Sequence, residues 1–390
     1  MPDELRAILQ RWANQNSGSF MVDGLVCMSE LLQQAFADLQ AEFHKRTLAP
    51  FKRLAADGSM QVLPMGEVLH WRKRPGAARQ ILLFGHYDTV FPADHPFQQA
   101  RTLDEDTLSG PGVADMKGGL LILWQALRRF EQEPHSQSLG WEIVLVPDEE
   151  IGSAASHPFM RARAQDKLLA IGFEPALDER GTLAGARPAS GNYQCLLQGT
   201  AAHVGRHFAQ GCSAVVLAAQ FIAYIQELMR ATPDLTINVG TIAGGTGLNA
   251  TPDKCLLGVN IRAPKLRFLQ DATQAIGQWL EAHARSDVSG YTWHALSERP
   301  DKALTPKIKA WHNWCTERAQ TLGLSLGYQA TGGVCDGNYL AAHVPVIDTL
   351  GAIGGGIHTD QEYASLTGLK SRIELLHRLF NDLAAGKSPD

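Results

Sequence analysis

No CxxC pair occurs anywhere in the chain, and the six cysteines (Cys27, Cys195, Cys212, Cys255, Cys315, Cys335) lie far apart. In 390 residues that spacing argues against both a closed structural zinc site and a disulfide framework, and reads as separate buried thiols. Also missing is any uninterrupted apolar run of the ~18 residues that a membrane helix requires. The start, MPDELRAILQ, mixes acids with bases and has no apolar signal core, which points to a cytoplasmic protein. Positive charge is not in excess: the formal net charge is -5 and the pI about 6.3. That leaves no electrostatic case for nucleic acid or an anionic membrane as a partner. Short basic clusters such as Arg72-Lys73-Arg74 read as solvated surface. Internal repeats and low-complexity tracts are absent. The Gly-rich stretches GPGVADMKGG and GAIGGGIH lack the GxxxxGK(S/T) spacing of a phosphate-cradling loop.

What is present is concentrated between Ile81 and Glu174. Three apolar runs of strand length, ILLFG, WEIVLV and LLAIGF, each stop at a histidine or carboxylate: His86 with Asp88, Glu149 with Glu150, and Glu174. Between the first two, Asp115 follows a Gly-rich turn and precedes an apolar segment of helical period (Leu120, Leu121, Leu123, Trp124, Leu127). Continuous apolar runs alternating with helical ones predict buried parallel strands with crossover helices. In such sheets ligands bind beyond the carboxyl ends of the strands. The sequence therefore gathers carboxylates and a histidine around one crevice, the composition of a metal site.

Along the chain, residues from Glu4 to about Arg46 read as helical around a break near Ser17 to Ser19, and Gln61 to His70 reads as a strand. Pro134 stops the helix that follows Asp115. From Asn192 the order becomes strand Tyr193–Leu197, helix Ser213–Met229, strands Leu235–Ile242 and Cys255–Arg262, helix Phe268–Ala284 and strand Tyr291–Leu296. This β-α-β-β-α-β order is the split unit of a ferredoxin-like domain. The first pattern resumes after Pro300, with helix Ile308–Leu322, the turn TGGVCDG, strand Val344–Leu350 and a last helix from about Gly368 to Ala384. The expected architecture is α/β: a catalytic domain over 1–191 and 301–390, with a mostly parallel sheet flanked by helices, and an inserted ferredoxin-like α+β domain over 192–300.

Histidine and carboxylate without cysteine suit a catalytic zinc, cobalt or manganese centre. His86, Asp115, Glu150, Glu174 and the distant His358 exceed the needs of one ion, and an aspartate can bridge two. Three carboxylates, two divalent cations and one hydroxide also sum to zero charge. Each residue alone has a plainer reading: a solvated histidine, an N-cap aspartate, a surface Glu-Glu pair. Their joint occurrence at successive strand ends favours the metal site.

GHYDTV, GPGVADMKGG, PDEEIGS, FEP, AHVG and IHTDQEY, in this order over nearly the whole chain, resemble the di-zinc peptidase family of glutamate carboxypeptidase, acetylornithine deacetylase, succinyl-diaminopimelate desuccinylase and aminoacylase. Glu174 in FEP is most similar to the glutamate carboxypeptidase branch. The resemblance implies a zinc-peptidase-like fold whose inserted domain serves as lid and dimerisation surface. It implies one Zn2+ on His86, Asp115 and Glu174 and a second on Asp115, Glu150 and His358, with Co2+ or Mn2+ as possible replacements. It further implies Glu149 as general base toward a bridging water, Asp88 orienting His86, and a cis peptide after Asp115. His203 would donate to the reaction oxyanion, and Asn249 and Arg262 would hold a substrate carboxylate. The implied activity is hydrolysis of an amide to an amino acid with a free carboxylate, as a carboxypeptidase or an N-acyl-amino-acid deacylase. The partners would be a small peptide or N-acyl amino acid and a second copy of the chain. A non-catalytic binding protein on the same fold is the remaining alternative, against which the intact Glu149 speaks. Two departures from the family pattern stand out: GGVCD, with Val334 and Cys335 narrowing a loop near the specificity pocket or making it apolar, and Arg206 and His207 after AHVG.

Overall fold

The computed structural model describes residues 2–284 and 288–389. The chain forms two compact units, Met1–Ala49 with Pro64–Arg187 and Lys302–Asp390, and Pro50–Leu63 with Pro188–Asp301. At the points where the chain leaves and re-enters the first unit, Arg187 and Lys302 exchange backbone hydrogen bonds of 3.0 Å.

The first unit is built on a six-stranded sheet. Its strands are β1 (Glu42–Thr47), β2 (Glu67–Lys73), β3 (Arg79–His86), β4 (Leu139–Val146) and β5 (Leu169–Gly172), closed by the short strand Val346–Ile347. The spatial order is β1-β2-β4-β3-β5 and then Val346–Ile347. The three pairings from β4 through β3 and β5 to Val346–Ile347 are parallel, and the two that join β1 and β2 are antiparallel. The apolar runs are continuous because both faces are covered. Ile81, Leu83, Ile143 and Leu145 enter a large core on one face, while Leu82, Phe84, Val144 and Val146 enter a second core on the other. Helices α1 (Pro2–Ala13), α2 (Val22–Phe36) and α3 (Lys117–Phe130) pack with the C-terminal helix Leu366–Ala384 over the first face. Met160 and Ala164 of helix α4 (His157–Ala164) pack on the second face. Fully burying a Leu or Ile of this kind contributes about 1.5–3 kcal/mol.

In the second unit, β6 (Ala189–Gln198), β7 (Thr236–Gly244), β8 (Lys254–Ala263) and β9 (Gly290–Arg299) form an antiparallel sheet in the order β7-β8-β6-β9. Helices α5 (Ala214–Ala231) and α6 (Leu266–His283) lie on one face, giving the β-α-β-β-α-β order. Helix α5 buries Ala214, Leu217, Ala218, Phe221 and Ile225, a stripe at three- and four-residue spacing. By length and composition alone α5 would pass for a membrane span, although Gln220, Gln226, Glu227 and Arg230 interrupt it.

Three readings of local structure need correction. Glu42–Thr47, expected to be helical, is an edge strand of mostly exposed residues, so no alternation marked it; Gln40, at φ 51°, ends the preceding helical turn. The single strand expected over Gln61 to His70 is two, separated at Pro64. Residues 50–63, assigned above to the first domain, form a hairpin that packs with the second unit, where Gln194 exchanges hydrogen bonds of 2.6 and 3.0 Å with the Leu54 backbone. Among the cysteines, Cys27 is exposed and Cys212 half-buried; none of the six is in a disulfide.

Candidate metal centre

The carboxyl ends of β3 and β4 are level, His86 pairing with Val146, and β5 ends two residues earlier, with Gly172 opposite Phe84. His86 is therefore the last residue of its strand, Glu149 and Glu150 follow β4 on a one-turn 3-10 helix, and Glu174 follows β5. Asp115 sits in the turn before α3, where Gly112 adopts φ +78° and a Cβ would press on Thr89 and Lys117. The Asp115–Met116 peptide is cis, as the resemblance implies.

These elements bring the five metal-ligand candidates together. Asp115 Oδ1 lies 3.1 Å from His86 Nε2, and its Oδ2 lies 3.2 Å from His358 Nε2. Glu174 Oε1 is 3.9 Å from His86 Nε2, and Glu150 Oε2 is 3.3 Å from His358 Nε2. The two oxygens of one carboxylate thus face two histidines, each with a further carboxylate beside it. Atoms ligating one tetrahedral zinc at ~2.0–2.2 Å stand roughly 3.4 Å apart, so these separations fit a donor set for two cations. His86, Asp115 and Glu150 also satisfy the spacing of a single-ion group.

The electrostatics agree. Burial, and then the charge of Asp115, pushes the Glu150 carboxyl up to about 8, and burial raises Glu174 well above the usual range. Burial would lower His86, yet its bonds to Asp115 and Asp88 raise it. On Asp115 the two histidines overcome the effect of burial and hold the carboxyl far down. A buried cluster in which carboxylates are forced toward neutrality is one that divalent cations would satisfy.

Asp88 organises the surroundings from full burial. His86 Nδ1 is 3.0 Å from the Asp88 carbonyl oxygen, which can only accept, so Nδ1 carries a proton and Nε2 is the nitrogen turned toward the cluster. The Asp88 carboxylate accepts the N–H groups of Glu149 and Glu150, both at 3.2 Å, and the Ser19 hydroxyl at 2.7 Å.

Sequence reasoning missed Glu362. Its carboxylate accepts the backbone N–H groups of Ala114 (2.8 Å), Asp115 (2.9 Å) and Gly112 (3.0 Å), clamping the turn that carries Asp115. Burial pushes it up to about 7. Partners that are backbone N–H groups some 250 positions earlier leave no side-chain signal. Glu362→Gln removes the charge and one accepting oxygen, so metal retention is expected to weaken about 10–100-fold, as for other groups that orient a ligand. A chelator competition titration checks this, and an affinity equal to wild type would remove the bracing role.

The remaining candidates lie in the second unit. His203 is exposed at the start of a four-residue helix, its Nδ1 accepting the Gly205 N–H at 3.1 Å. It bridges to Ala250, and the Asn249 carbonyl accepts the Val204 N–H at 3.1 Å, so His203 and Asn249 are neighbours. Arg262, on β8, is half-buried with Nε 3.3 Å from Asn260 Oδ1. Arg206 and His207 are exposed on the same short helix as Val204. Cys335 is fully buried, its Sγ 3.3 Å from Asp348 Oδ2, and Asp348 is bound at 2.9 Å by both Arg187 and Lys302. Cys335 is thus a packed, buried thiol, as the spacing of the cysteines suggested, and its neighbours form a charged network.

A three-layer α/β unit in which strand ends and two turns bring two histidines and three carboxylates together is the framework of a metal-dependent hydrolase. Residues 82–382 match the sequence profile of Peptidase family M20/M25/M40, and the chain belongs to that family of metallopeptidases and amidohydrolases. It is 26% identical to carboxypeptidase G2 of Pseudomonas sp. (strain RS-16) over 83% of this chain and 79% of that protein. It is 24% identical to a succinyl-diaminopimelate desuccinylase of Magnetococcus marinus over 82% and 88% of the two chains. A Staphylococcus aureus tripeptidase shares the fold at TM-score 0.75 and 20% identity over 99% of both chains. So does the M20 metallo-carboxypeptidase of Sulfolobus solfataricus, at TM-score 0.73 and 14% identity over 98% of this chain and 100% of that one.

Proposed function

We propose that the chain is a dinuclear metal exo-hydrolase that cleaves the amide joining an acyl or peptidyl group to an amino acid with a free α-carboxylate. The observation that carries this is Asp115, whose two oxygens are divided between His86 and His358. His86, Asp115 and Glu174 would hold one cation, and Asp115, Glu150 and His358 the other, with Zn2+ taken from the family resemblance and Co2+ or Mn2+ compatible with the same donors. Such ions, when bound, lower the pKa of water and polarise a carbonyl. Glu149 accepts the attacking water's proton and returns it to the leaving nitrogen. Asp88 holds both the ring of His86 and the backbone of Glu149 in place.

Carboxypeptidase G2 among the relatives favours the carboxypeptidase form of this reading, and the desuccinylases favour the N-acyl-amino-acid deacylase form. In both, His203 serves the reaction oxyanion, and Arg262 with Asn249 takes the substrate carboxylate. Dimerisation through the second unit is part of the proposal, supported by exposed Phe208, Val215, Val216, Ile242 and Leu248 and by the open edge of β7.

The deciding experiment assays dipeptides and N-acyl amino acids before metal removal, after it, and after zinc or cobalt is restored. Loss and recovery of hydrolysis is expected; turnover that survives verified stripping would end the metal mechanism. Arg262→Ala is expected to lower kcat/KM for free-carboxylate substrates about 10–100-fold, the worth of a charged hydrogen bond, while amidated analogues change little. Equal losses on both would take the carboxylate away from Arg262.

A further inference from the structure

Within the first unit, a cavity of ≈ 220 Å³ opens beside Glu150, walled by Phe20, Met21, Val90, Pro92 and Ile151. Its walls are held by two bonds between segments and by a turn within one of them. The Thr89 N–H donates to the Ser17 carbonyl at 3.0 Å and Asn16 Nδ2 to the Phe91 carbonyl at 3.1 Å, while the Met21 N–H closes the turn on the Gly18 carbonyl at 2.7 Å. Ser19, also in the wall, donates to Asp88 Oδ2, the oxygen that accepts the Glu150 N–H. One buried carboxylate therefore fixes the cavity relative to the metal-ligand cluster.

Charge and size select the occupant. Glu150 is the ionisable residue among those lining the cavity, and no lysine, arginine or histidine joins it there. An anionic group entering would lose its hydration beside the Glu150 carboxylate, with no cationic side chain in the lining to receive it. Apolar cavities of about 150 Å³ take up benzene, so ≈ 220 Å³ admits one aromatic ring or a branched aliphatic chain.

We propose that this cavity is the acyl subsite, and that the substrates are amino acids N-acylated by an uncharged aromatic or branched aliphatic group, or dipeptides whose N-terminal side chain is such a group. The assignment rests on the function proposed above, which gives the substrate carboxylate to Arg262 and Asn249 and leaves the acyl side for a cation-free pocket. It separates this chain from enzymes that remove a succinyl group, whose charged end the cavity disfavours.

The test uses the zinc-loaded full-length protein and one leaving amino acid carrying acetyl, 4-methylpentanoyl, phenylacetyl or succinyl groups. Each buried CH2 is expected to raise kcat/KM about fourfold, so phenylacetyl exceeds acetyl by roughly 10–100-fold. Succinyl should fall below both apolar long-chain groups. Val90 is 36% exposed at the cavity wall, so Val90→Phe narrows the space without disturbing the core. That variant should erase the phenylacetyl advantage while the acetyl rate holds within about twofold, since acetyl buries little there. Phe20→Ala, which removes a wall, gives a second reading should the first variant fold poorly. Equal kcat/KM across the acyl series, or a preference for succinyl, overturns the subsite. Calorimetric binding of the same compounds to zinc-loaded Glu149→Gln reads the cavity without turnover. Graded affinity without hydrolysis by the wild type would discard the proposed function and keep the cavity; equal affinities would discard the cavity.

Discussion

Replacing Glu149 by glutamine is expected to reduce kcat about 10²–10⁴-fold, the usual contribution of a positioned general base, with both cations retained. Glu149 and Glu150 are adjacent in sequence but differ in their surroundings. Glu150 points its Oε2 at His358, 3.3 Å away, and belongs to a ligand group with His86 and Asp115, of which Glu149 is not a member. The Glu149 backbone is fixed by the bond of its N–H to Asp88, so the isosteric change leaves the 3-10 turn and the neighbouring Glu150 where they are. An amide cannot take up a proton from water, and about 3–5 kcal/mol of barrier returns. Steady-state rates combined with metal analysis separate the possibilities. Loss of one cation would turn Glu149 into a ligand, and near-normal turnover would place the base elsewhere.

Much of this centre could be read from the sequence because the physics of a parallel sheet is local. Ile81–Phe84 and Ile143–Val146 are apolar at every position since alternate side chains enter different cores, and the first polar residue afterwards falls at the strand end, where ligands bind. His86, Glu149, Glu150 and Glu174 were legible for that reason. His358 lies on no such strand end; it follows Gly356 in a turn where both take positive φ, and only the resemblance to a family connected it with Asp115.

What escaped the sequence depends on long-range pairing. Glu42–Thr47 is strand because β2 bonds to it, and its exposed side chains have no period to betray the fact. The hairpin of residues 50–63 joins the second unit through the amide side chain of Gln194, a contact 140 positions away. Glu362 braces the Asp115 turn through backbone groups that every sequence possesses. In each case the determinant is the fold itself rather than the identity of a neighbouring residue.

Asp115→Asn should have the widest effect, removing both cations where His358→Ala removes one. Its Oδ1 serves the His86 side and its Oδ2 the His358 side, and an amide offers one acceptor oxygen and an NH2 that repels a cation. The change also cuts the ligand carboxylates from three to two, so the charge that offsets two divalent ions is no longer present. Since removing a group that merely orients a ligand costs about 10–100-fold, losing the shared ligand should weaken retention at least that much at each site. Hydrolysis should vanish with it. The fold should survive, because Glu362 holds this turn through backbone N–H groups that the substitution does not touch. Metal content after dialysis, read beside far-UV circular dichroism, distinguishes the outcomes. A folded Asp115→Asn protein that keeps two ions would show that Asp115 is not shared, and a His358→Ala protein that loses both would move the bridge to another residue.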